Sequence, residues 1–235
     1  GLSTLGHSGS VQIGSADSGN RGVSGPVNLF SGTSSLGSSG TIAIVTGAST
    51  SGHGGNIVLS VGPGGVGDGG KISLAAGRSN DQFEAQGGLV EISSGFSTFY
   101  SSGDIVVNTA DSGSFGVSGH LNLTTGSSLR GSAGSINIIT GHSTSGHGGD
   151  INIKVGKGDS GVGGNVLMSA GASSQIEGKG GSVAIIAGEG TSTAYTNGGD
   201  GGRVYIAGGE AMGRNMFDEG GNVEIFGGRS FSGPG

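Results

Sequence analysis

Few side chains here could do chemistry, and their spacing argues against most of it. His53, His142 and His147 stand in Gly/Ser-rich stretches, His53 and His147 at equivalent places 94 residues apart. A metal ion needs several converging ligands held by further hydrogen bonds. These imidazoles have no such company and read as surface turn residues, so no metal is expected. The runs 64–70 and 198–202 set Asp68 and Asp200 among glycines, as calcium-binding nonapeptide rolls do. The turns recur at about 15 residues and mostly carry Ser or His where Asp would have to repeat. The oxygen set that calcium requires is therefore missing.

Polysaccharide cleavage would need two carboxylates, or another acid–base pair, on one face. Of the residues expected to point outward from the chain's short apolar segments, only Glu91 and Glu224 are acidic, and they lie far apart. No catalytic residue and no cofactor site is legible, and the chain is not expected to be an enzyme. Thr46, Thr125 and Thr140 do not continue into the flat threonine array of an ice-binding surface. Asn122, Asn137 and Asn152 fall on consecutive segments and could form a local amide ladder. Asn122-Leu123-Thr124 is the single N-glycosylation sequon, which makes Asn122 a candidate for modification.

The elements that position these residues repeat. In each copy a small residue and Gly precede one variable residue. Apolar, variable, apolar, variable, small and Gly follow. About 14 copies fit, from Val11/Ile13 through Ile42/Ile44 and Ile151/Ile153 to Val223/Ile225. Alternation with period two places both apolar residues on one face of a short strand. So much Gly and Ser without 3.6-residue spacing excludes helix. With 59 glycines in 235 residues the chain would read as disordered if it were aperiodic, so the period is what decides for order.

Copies follow one another mostly every 15 or 16 residues. Residues 15–77 also align without gaps on 109–171, with 35 of 63 identical. The expectation is one repeat domain over 1–235, with this block duplication and irregular, longer-linked repeats over 189–235. Three geometries could carry the repeat: one copy per solenoid rung, two copies of about 31 residues per rung, or antiparallel strands joined by long loops. Uniform steps favour a solenoid, because antiparallel hairpins more often use two- to five-residue turns. The predicted fold is all-β, a β-solenoid-like stack of about 14 short strands with 15–16-residue repeats and no helices. Apolar burial alone is too small to order so long a chain, so backbone ladders are expected to carry the stack.

Four insertions, 78–86, 172–179, 189–200 and 210–219, interrupt the spacing. They hold Phe83, Tyr195, Met212, Met216 and Phe217, and Phe226 and Phe231 follow near the end. Such bulky groups either cover their own rungs or contact a neighbouring subunit. Neither end looks capped, and open strand edges invite another copy to pair head to tail. The start at Gly1 rather than Met is expected of a processed product or an excerpt. Ten scattered basic residues against 16 acidic ones, a net charge of -6, suit no nucleic-acid groove. No apolar run is long enough to insert in a membrane.

The run 39–57, Ser-Gly-Thr-Ile-Ala-Ile-Val-Thr-Gly-Ala-Ser-Thr-Ser-Gly-His-Gly-Gly-Asn-Ile, resembles the Gly/Ser-rich tandem repeats of large secreted or cell-surface proteins of diatoms and related algae. The resemblance covers nearly the whole chain and weakens after about residue 188. It implies an extracellular location and a structural or adhesive role, and it brings no catalytic residues. The expected function is an extracellular structural subunit that assembles end to end into a fibre. The alternative is an adhesin module binding carbohydrate or a surface through the inserted loops, with glycans as possible partners.

Overall fold

The computed structural model describes residues 6–83, 85–229 and 231. Among them there is no helix and no strand; extended segments alternate with bends and turns. The β-solenoid-like stack expected from the repeat is therefore not what the chain forms. The period-two pattern does produce extended backbone with two distinct sides. Ile57, Val58 and Leu59 are 59%, 80% and 70% exposed in turn, so the row chosen by alternation is the better covered one. What is missing is the ladder. Among the described residues, the backbone hydrogen bonds lie within turns or at the mouths of the linkers, and none pairs the apolar segments along their length.

The physical reason lies in how the linkers close. Each doubles back until a glycine meets the last inward residue of the preceding segment, which we call a neck. In the regular repeats the two are nine or ten residues apart: Ser31 with Gly40, Thr46 with Gly55, Thr125 with Gly134 and Thr140 with Gly149 at nine, Ser15 with Gly25 and Thr109 with Gly119 at ten. In longer linkers, and at Gly103 and Gly95 in a regular one, a backbone bond closes the neck. Gly88 N–H donates to the Gly77 carbonyl at 2.8 Å, Gly181 to Gly171 at 2.9 Å, Gly202 to Gly188 at 2.9 Å and Gly221 to Gly209 at 2.8 Å. A contact at one point per linker fixes the loop but not the register of the segments beyond it.

The chain divides into two units, Gly1–His120 and Leu121–Gly235. Neither has a core: no described residue is buried. Ser31, Ala187 and Gly208 are the three described residues with intermediate exposure, and all three lie at necks.

The block duplication is visible in local geometry. Gly67 and Gly161, 94 positions apart, have φ of 84° and 75°, the left-handed region where an L side chain is disfavoured. Gly22 N–H bonds the Gly19 carbonyl at 3.2 Å, and Gly116 bonds that of Gly113 at 3.3 Å. Each block also has one neck made by Val rather than Ser or Thr. A Cβ on Gly70 would lie 2.6 Å from Val61 Cγ1, and one on Gly164 would lie 2.7 Å from Val155 Cγ1. Glycine fits there because a branched side chain already fills the mouth of the loop and would have to shift for any Cβ.

Gly70→Ala and Gly164→Ala should each open their neck at a cost of about 1–3 kcal/mol of local stability. Gly62→Ala, which meets nothing within 4 Å, should not. NMR contacts between the Val61 or Val155 methyl groups and the residue opposite should vanish in the first two variants and persist in the third.

Candidate interaction surface

Alternation along each segment leaves a row of apolar side chains on one side. First-position residues from Val27 to Val223 are 44–60% exposed, and second-position residues from Leu29 to Ile206 are 61–73% exposed. Apolar residues on the other side, such as Val45, Val106, Ile139 and Ile186, are 79–87% exposed. The coverage comes from neighbouring segments through the necks, as the ends show. Val11 precedes the first neck and Ile225 follows the last, and each is 87% exposed. Val61 and Val155 extend the row by a third residue at 48% and 41% exposure. Reading the third inward position as small in most copies missed these two, although Val in place of Thr or Ala was the available signal.

The linkers are held by short side-chain-to-backbone bonds. A serine two residues after the segment's terminal glycine accepts a hydrogen bond from the N–H three residues further on. Ser34 binds Gly37 at 3.0 Å, Ser49 binds Gly52 at 2.9 Å, Ser97 binds Tyr100 at 3.0 Å and Ser128 binds Gly131 at 3.0 Å. Such turns are what hydroxyl side chains offer a backbone that has no ladder to join.

The predicted contact residues fall on several linkers and on the last segment or beyond it, with Met212, Met216 and Phe217 on one linker. Phe83 follows a turn in which its N–H donates to Asp81 Oδ1 at 2.8 Å. Phe217 donates its N–H to Asn215 Oδ1 at 3.1 Å, and Asn215 N–H binds Asp218 Oδ2 at 2.9 Å, so Met216 and Phe217 sit in a doubly tied turn. Tyr195 lies inside the loop closed by Gly199 N–H on the Ser192 carbonyl at 3.1 Å. Met212 lies on the same linker as Met216 and Phe217, Phe226 on the last apolar segment, and Phe231 beyond it. All seven are exposed. Asn122 is exposed between Leu121 and Leu123, on the side away from the apolar row.

Among the described residues, no three His, Cys, Asp or Glu side chains come together as a metal-binding group, and no pocket is formed. No helix of the described residues is long and apolar enough to cross a membrane. No family model matches the chain, and neither a curated protein nor a solved structure does.

Ser49→Ala and Ser128→Ala should each release one turn, at about 0.5–1.5 kcal/mol locally. The amide protons of Gly52 and Gly131 should then exchange severalfold faster while those at the necks keep their rates.

Proposed function

We propose that the chain is an extracellular structural subunit that assembles with copies of itself into a fibre. One observation carries this reading. The chain exposes 24301 Å², whereas a folded monomer of 22.3 kDa would expose about 9,400 Å² and a fully unfolded one about 32,000 Å². A conformation with repeated apolar rows and most of its surface still wet gains stability chiefly by covering those rows with something else. The rows recur along nearly the whole chain, so the covering surface must be long and periodic too. A further copy has that property by construction.

The expectation of growth from open ladder ends loses its physical basis without a ladder, which moves the contact from the ends to the rows. An extracellular setting is supported by the likeness to secreted Gly/Ser-rich repeats and by the exposed sequon at Asn122. A second reading, glycan or surface binding, is favoured by Phe83, Tyr195 and Phe217. These exposed rings on tied turns offer flat apolar faces with little conformational entropy to lose.

Electron microscopy and sedimentation over a wide concentration range should show polymers above a threshold concentration. A chain that stays monomeric throughout, and binds an arrayed glycan, would replace the first reading with the second. Passage through a eukaryotic secretory route should add an endoglycosidase-sensitive mass that Asn122→Gln removes.

A further inference from the structure

Building on the self-assembly reading, the geometry points to the surface that makes the contact. We infer that the apolar row of each duplicated block, represented by Ile42, Ile57 and Ile72 in the first and Ile136, Ile151 and Val166 in the second, is an adhesive face for a block of another copy, so that each chain is a bifunctional monomer.

These residues correspond one to one at an offset of 94, and all six are half-covered, at 44–59% exposure. The turn at Gly22 and Gly116, the left-handed glycines Gly67 and Gly161, and the Val-filled necks at Gly70 and Gly164 recur at the same offset. The two blocks therefore present like residues on like local scaffolds. A surface that fits one block fits the other, which makes a second copy of this chain the fitting occupant. Area is not limiting. The excess of 24301 Å² over the about 9,400 Å² of a folded monomer is several times the roughly 1,600 Å² of a standard interface. The partner must also be apolar and low in charge, and a chain with 11% charged residues meets that condition.

Two adhesive blocks per chain have a consequence that one would not. If copies pair in a stagger, block to block, each addition leaves a free block and growth continues, the heterologous case; pairing of both blocks with one partner closes a dimer instead. The stagger is the arrangement that yields a fibre.

The test uses full-length chains. One variant carries Ile42→Ser, Ile57→Ser and Ile72→Ser; a second carries Ile136→Ser, Ile151→Ser and Val166→Ser; a third carries all six. The control carries Val58→Ser, Val106→Ser and Ile186→Ser, on the other side of the segments. Each single-block variant should sediment as a dimer and, added in small amounts to wild type, shorten its polymers as a chain stopper. The six-fold variant should stay monomeric at concentrations about 100-fold above the wild-type threshold. The control should polymerise as wild type does.

Wild-type polymers together with an unimpaired six-fold variant would overturn the row as the contact while leaving self-assembly standing. Loss of assembly in the control as well would also overturn it, since the effect would not be specific to the row. Wild type that stops at dimers, dispersed by the row substitutions, would support the face and overturn the fibre. Monomeric wild type with its row protected from solvent would overturn both.

Discussion

Every linker in this chain depends on one small contact, the meeting of a segment's last inward residue with a glycine after the loop. The contact works because nothing projects from the glycine. Where the partner is Ser or Thr the fit runs from tight to ordinary: an added Cβ on Gly55 would meet Thr46 at 3.3 Å and one on Gly149 would meet Thr140 at 3.5 Å. Where the partner is Val there is none. Glycine-rich sequence is usually expensive to order, because each residue gives up more backbone freedom than any other type. Here part of that cost is offset locally, loop by loop, through necks and Ser-capped turns that need no partner from elsewhere in the chain. The result is order carried by the loops rather than by a ladder.

That division explains why the apolar residues stay exposed. A ladder satisfies backbone groups and brings side chains together at once. Necks do neither beyond their own mouths, so the N–H and C=O groups of the extended segments remain with water. With water available that arrangement carries no penalty of the kind a buried unpaired amide would suffer. The rows are a different matter. Their first-position residues keep about half of their surface in water, and exposed apolar groups in such number are what protein interfaces are usually made of.

How much of this was legible in the sequence follows from the range of each interaction. The extended segments and the identity of the row were, because alternation is a property of adjacent residues: Ile57 and Leu59 against Val58 settle it. The block duplication was legible as identity and reappears as geometry, in Gly67 and Gly161. The Ser-x-x-Gly turns at Ser34, Ser49 and Ser128 were present as a pattern but read only as linker composition. The ladder was misread because pairing is not local. Whether Ile42 lies beside Ile57 depends on how the intervening loop spends its residues, and a 15-residue period is equally compatible with a rung and with a loop pinched at nine. Nothing in the spacing of the bulky residues of the insertions showed that Phe83, Tyr195 and Phe217 would each fall on a separate tied turn.

A repeat array normally stabilises itself by lending each unit's surface to the next, which is why its stability grows with length and its ends need caps. This chain lends very little. The exposure of Val11 and Ile225 shows that a segment gains cover from its neighbours, yet the gain stops at about half of each first-position side chain. Lengthening such a chain adds apolar row in proportion and covers no larger a fraction of it, so internal repetition cannot complete the burial. Contact between rows of different copies can, because two faces of the same period match at every step once they match at one. On the assembly proposed above, duplication of a block would change the valence of the chain rather than its stability. The 94-residue repeat would then double the contact sites rather than extend a fold.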